Sequence, residues 1–176
     1  MRLIGSTIRS VPPSPNRPWS SRIVLGCWAA KYLPLCATSV PGFPVTHIGF
    51  SVLYASYFFS VPNVSFNMLL AVLMTPWGHT FLRKARTDQR PVYAWTVNEE
   101  RRMRWGIRHE LDGVITDDPK KFLEVRHDWH EGMREGFNLL MWLDVLRINL
   151  FALIFGLLFQ VRFGFGDTKP LIKSKN

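Results

Sequence analysis

Acidic residues are absent from the first half of this chain. All 13 of them lie from Asp88 onward, while residues 1–87 carry eight basic side chains: Arg2, Arg9, Arg17, Arg22, Lys31, Arg83, Lys84 and Arg86. A hydrolytic or metal site built on carboxylates therefore has no donor in that half. Cysteine is nearly as scarce. Cys27 and Cys36 are the only two, with neither CxxC spacing nor enough members for a disulfide framework, so both are expected as reduced, buried thiols of an intracellular protein. No long apolar run follows Met1, which argues against a secretory leader. The basic residues are scattered among apolar segments instead of being gathered with stacking aromatics, which speaks against nucleic acid as a partner.

What is present points to a folded or membrane-associated chain: 47% of the 176 residues are hydrophobic, and the net charge is +9. Residues 1–21, rich in proline and serine and free of acid, read as a disordered basic tail. Arginine and serine there also fit a mitochondrial presequence, but the prolines oppose the amphipathic helix it needs. From Arg22 short apolar runs alternate with helical stretches. The runs Ile23 to Trp28, Pro44 to Ser51, Pro62 to Leu69, Val92 to Val97 and Val114 to Thr116 read as five strands, each too apolar to face water on either side. Ala29 to Leu35, Val52 to Phe59 and Thr80 to Thr87 read as helices between them. This alternation predicts a parallel α/β architecture.

The stretch Val92 to Pro119 carries its own punctuation. Asn98 is placed to cap a helix whose first turn holds Glu99 and Glu100, and Met103, Ile107 and Leu111 form its sheet-facing stripe. Asp112-Gly113 turns the chain. Asp118 before Pro119 reads as the cap of one more helix, which makes capping the expected role of that carboxylate over metal binding.

Beyond residue 126 the chain turns polar. A linker helix is expected over 127–136, and His127 and His130 share its spacing without a third metal ligand. Residues 137–163 form the most apolar segment, long enough to associate with a membrane although Asp144, Arg147 and Asn149 interrupt it. Lys169, Lys173 and Lys175 in the tail 164–176 supply a basic flank that prefers the cytosolic side. An intracellular, membrane-associated location follows, with spanning, re-entrant and interfacial arrangements all open.

Trp95-Thr96-Val97-Asn98, then Asp112-Gly113-Val114-Ile115-Thr116-Asp117 and Pro119, together resemble the last two β/α units of the glycerophosphodiester phosphodiesterase family. The Gly26-Cys27-Trp28 pattern and the region Asn63 to Leu69 are similar to fungal members related to phosphatidylglycerol-specific phospholipase C, which carry a hydrophobic C-terminal anchor. The resemblance covers residues 22–126. It implies a TIM-type (β/α)8 barrel, of which this chain would supply about five units plus a C-terminal hydrophobic helix. It implies hydrolysis of a glycerophosphodiester or phospholipid headgroup bond, a membrane-lipid substrate, and a divalent metal, Mg or Ca.

The catalytic groups of that family are an HRG motif, an E-x-D pair, a following histidine and a further glutamate, all on its first three strands. No HRG occurs here and no acidic residue precedes Asp88, so Ile23 would open the fourth strand, with the three catalytic strands expected to be missing and to lie in frame upstream. Catalysis in this fold happens at the C-terminal ends of the strands. By position there, Trp28, Ser51, Asn67, Trp95 and Asn98 are the candidates for the substrate-pocket wall. The alternative is a non-catalytic, membrane-bound remnant that pairs with another chain through its open sheet edges.

Overall fold

The computed structural model describes residues 18–130, 132–133 and 138–163. Five strands, β1 Leu25–Cys27, β2 Val45–Gly49, β3 Val64–Leu69, β4 Val92–Trp95 and β5 Gly113–Val114, lie in one sheet in chain order, every neighbouring pair parallel. Between and after them run α1 Leu33–Ser39, α2 Val52–Tyr57, α3 Leu70–Leu73, α4 Pro76–Thr87, α5 Glu100–Arg108, α6 Pro119–His127 and α7 Leu139–Phe163. Parallel strands joined in sequence by helices are the architecture of a partial (β/α)8 barrel.

Each helix start follows from local chemistry. Thr75 accepts a hydrogen bond from the Gly78 amide and Pro76 sits at the first turn of α4, so that helix begins four residues earlier than Thr80. Ser51 caps α2 by accepting from Tyr54 N, and Asp118 caps α6 by accepting from Lys121 N. Within the helix read over Ala29 to Leu35, Pro34 lies in the first turn of α1, which follows a 3₁₀ turn at Ala30–Tyr32. The strands are one to three residues shorter than the apolar runs that marked them, because parallel pairing ends where the chain bends into the next helix.

The expectation of strands buried on both faces is corrected. Along β3 the residues Val64, Phe66 and Met68 are buried and alternate with the partly exposed Ser65, Asn67 and Leu69; β4 repeats the alternation. The buried set packs under the helices. Phe66 meets Phe59 and Phe81, Met103 from α5 is fully buried, and His47 stacks on Phe58 at a ring separation of 4.0 Å. The opposite, concave face carries Thr46, Ile48, Ser65, Asn67, Leu69, Tyr93 and Trp95, and no second layer covers it among the described residues.

The helix expected over 127–136 is not formed at 128–130 or 132–133; His127 ends α6, and residues 131 and 134–136 lie outside the described ones. Residues 1–17 and 164–176, with the three tail lysines, also lie outside them. Residues 19–21 form a 3₁₀ turn.

Candidate functional site

The concave face ends in a cluster of aromatic rings at the C-terminal ends of the strands. Trp28 follows β1, Trp95 closes β4, and their rings meet edge to face at 5.8 Å; Phe50, just past β2, lies 6.3 Å from Trp28. Trp95 donates its indole N–H to the Asn67 carbonyl oxygen at 3.1 Å, which ties β4 to β3 at the same level. Three of the five candidate wall residues, Trp28, Asn67 and Trp95, are thereby brought together. Trp28 is 44% exposed, so its ring is reachable from solvent. The Asn67 Oδ1 is buried without a hydrogen-bond partner, and so is Thr46 Oγ1 on the neighbouring strand. Orphaned acceptors of this kind are uncommon in a finished interior.

Ser51 and Asn98 are occupied otherwise. Ser51 is the α2 cap, and its side chain faces Gly156 of α7 beside a shallow cleft lined by Trp28, His47, Ile48, Phe50, Ser51 and Tyr54. Asn98 does not cap α5. That helix starts one residue later, with Glu99 at the cap position and no side-chain bond there. Asn98 instead binds the end of β5: its Oδ1 accepts from Thr116 Oγ1 (3.1 Å) and Asp117 N (3.0 Å), and its amide donates to Asp117 Oδ2 (2.6 Å). A long-range bridge saturates more of the side chain than a local cap would, and it also engages Asp117.

One buried polar group escaped sequence reasoning. His47 is 1% exposed, on the helix-covered side of β2, with Nδ1 3.2 Å from the Cys27 carbonyl oxygen and Nε2 unpartnered. Burial lowers its pKa to about 4, so the ring is neutral. A side chain at position 49 would collide with Nε2, which accounts for Gly49 there. Alternation along Val45 to Gly49 was the available signal, since it puts His47 and Thr46 on opposite faces. Cys27, also buried, has its thiol pushed up to about 11, chiefly by burial and then by the nearby Cys36; both cysteines are free, and Cys36 is only half-buried.

The residues present do not fit a divalent metal. Among the described residues no three His, Cys, Asp or Glu side chains gather, and none of these residue types lies on the concave face. The carboxylates nearest the strand ends, Asp117 and Asp118, are committed to Asn98 and to the α6 cap.

α7 crosses this end of the sheet. Its Asp144 meets Arg102 of α5 at 2.5 Å, its Asn149 donates to the Ala71 carbonyl oxygen of α3 at 2.8 Å, and its Gly156 rests against Ser51. Val145 and Ala152 are buried on the same side of the helix. α3 and the rim thus seat this helix. The stretch Leu139–Leu158 is long and apolar enough to cross a membrane by length and composition, yet only 17% of that apolar window is buried in the protein, which is too little for an ordinary core helix.

These features define an open, parallel β/α half-barrel whose aromatic, partly polar mouth lies at the C-terminal strand ends. The family model described as Glycerophosphoryl diester phosphodiesterase family matches residues 5–121, and the chain belongs to that family of phosphoric diester hydrolases. The match begins within the segment read as a tail, upstream of the expected start at residue 22. A crystal structure from Silicibacter pomeroyi DSS-3, assigned by name to the glycerophosphoryl diester phosphodiesterases, shares the fold at a TM-score of 0.54 and 20% identity, over 62% of this chain and 39% of that one. The chain thus spans well under half the length of that protein. No curated protein matches it.

Proposed function

We propose that this chain forms the substrate-pocket wall of a phosphoric diester hydrolase of glycerophospholipid metabolism, held at a membrane by α7, with the catalytic acid, base and metal-holding groups supplied by β/α units other than the five described. The observation that carries this reading is the concave face itself. It gathers Trp28, Asn67 and Trp95 at the strand ends, yet bears no carboxylate or imidazole. A phosphodiester is unreactive without charge neutralisation and a placed proton donor and acceptor, which indole and amide groups do not provide. The pocket role of Trp28 and Trp95 is to pack against the substrate, and that of Asn67 is to offer a polar contact. The substrate class is a glycerophosphodiester or a phospholipid headgroup bond.

A second reading has an observation of its own. Among the described residues β1 pairs only with β2 and β5 only with β4, so both sheet edges are open there, and the concave face between them is partly exposed. A non-catalytic chain that pairs with another polypeptide through those edges fits this geometry. One assay separates the two. The purified chain is tested with Mg²⁺ or Ca²⁺ on a soluble glycerophosphodiester, alone and after fusion to the first three β/α units of a family member. Hydrolysis by the fusion only is expected. Turnover by the unfused chain would overturn the incomplete site, and inactivity of a well-folded fusion would leave the pairing role.

A further inference from the structure

We propose that the C-terminal rim of the half-barrel is a bilayer-docking surface, with α7 lying in the plane of an anionic leaflet and the concave mouth turned toward the lipid. This deepens the membrane association proposed above by naming the face and the arrangement. It rests on three observations. First, the contacts of α7 are ordered across the strands: Asp144 engages the segment after β4, Asn149 the segment after β3, and Gly156 the segment after β2. From 144 to 156 the helix advances ~18 Å, so it lies as a bar over the strand ends.

Second, its outer side is apolar apart from the exposed Arg147. Leu140, Leu143, Leu146, Phe151, Ile154 and Leu158 are all exposed, and the two charges within Leu139–Leu158, Asp144 and Arg147, are paired with each other at 2.7 Å. An exposed apolar surface of this extent marks a partner, and a helix with one docked stripe and an apolar remainder suits the boundary of a lipid layer.

Third, one group of the domain's exposed hydrophobics falls on the same end, while Trp19, Ile23 and Val24, which precede β1, do not. Trp28 and Tyr32 follow β1, Leu53 (73% exposed) opens α2 after β2, and Trp77 (77% exposed) opens α4 after β3. Aromatic side chains favour the headgroup level. The net charge of +9 adds attraction to an anionic leaflet.

A spanning α7 is incompatible with these contacts. Asp144 and Asn149 sit inside the apolar stretch, so a helix crossing the bilayer there would drag Arg102, Ala71 and Ser51 into hydrocarbon or break their bonds. In-plane docking keeps every contact and covers the apolar remainder.

The test uses the full chain with Cys36→Ala, Cys27 being buried, and single labelling sites Leu53→Cys, Trp77→Cys, Thr87→Cys, Leu140→Cys and Leu158→Cys, each at an exposed position. Variants carrying an environment-sensitive fluorophore are bound to vesicles of equal phosphatidylcholine and phosphatidylserine that contain nitroxide-labelled lipid. Quenching several-fold stronger at 53, 77, 140 and 158 than at 87 is expected, since Thr87 ends α4 at the opposite end of the sheet. Positions 140 and 158 should also lie on the same side of the bilayer, by reaction with a membrane-impermeant thiol reagent. Opposite sidedness of 140 and 158, equal quenching at 87 and 53, or quenching confined to α7 would each overturn the proposal. So would failure to bind vesicles with self-association through α7 seen by sedimentation. Hydrolysis is not read here, so an inactive chain can pass and an active one can fail.

Discussion

The two faces of the sheet differ in how far they are finished. Under the helices Val64, Phe66, Met68, Val92 and Ala94 are buried together with Phe58, Phe81 and Met103. On the concave side, neighbouring residues of the same strands stay half-exposed, and two of their oxygens, on Asn67 and Thr46, are buried without partners. Stability therefore resides in the helix-covered face, and the other is the face we propose for recognition. A face that already holds orphaned acceptors is prepared for groups from elsewhere, be they substrate, further β/α units or another chain.

The sharpest way to break this contrast is to compare adjacent residues of β3. Phe66→Ala removes a ring packed on Phe59 and Phe81 and is expected to cost about 3–5 kcal/mol in urea unfolding. A loss under about 1 kcal/mol would mean that the helix-covered face is not the core. The next largest effect is on pH. His47 has a folded pKa near 4, below the ordinary 6.5, so the unfolded state binds the extra proton between those values. Its contribution to stability is complete above pH 6.5 and is lost as pH falls toward 4, on the order of 3 kcal/mol in all. His47→Phe, which keeps a ring against Phe58, should flatten that part of the profile, as followed by thermal melts from pH 7 to 5. An unchanged slope would place the proton uptake elsewhere.

The fold was legible because short apolar runs and period-3.6 patterns are local: four of the five strands fall inside the runs that marked them, and β5 begins one residue earlier, at Gly113. Which face is covered was not. Ile48, Leu69, Tyr93 and Trp95 on the concave side are as apolar as the residues behind them, so hydrophobicity alone described strands buried on both faces. Of the candidate wall residues, Trp28, Asn67 and Trp95 lie together because each sits at or near a strand end. Ser51 and Asn98 have roles that their positions did not announce: a helix cap for the first, which still lines the cleft beside Trp28, and for the second a bridge to Asp117 across 19 residues in place of the expected cap. The apolar length of α7 was visible, but its seat was not, since Arg102 to Asp144 and Ala71 to Asn149 are pairings over 42 and 78 residues.

Smaller effects sharpen the comparison further. Arg102→Met leaves Asp144 with Arg147 alone and unlatches the start of α7, at a cost of about 1–2 kcal/mol for a partly buried pair. Faster amide exchange in Leu139 to Leu146 with unchanged exchange in β3 is the expected signature. Uniform loosening would show that α7 is part of the core and not an attachment to it.

The smallest and most telling effect concerns Asn67. Replacing it by valine deletes an acceptor that has no donor, leaves the backbone carbonyl that receives the Trp95 indole, and puts a β-branched side chain on a strand. The isolated chain should be unchanged or more stable, by no more than about 1 kcal/mol. If the concave face is a pocket wall, the same substitution must weaken glycerophosphodiester hydrolysis by the completed barrel, so the two readouts move in opposite directions. Destabilisation of the isolated chain with hydrolysis unaffected would make Asn67 a structural residue and remove the distinction between the faces at the position where it is most exposed to test.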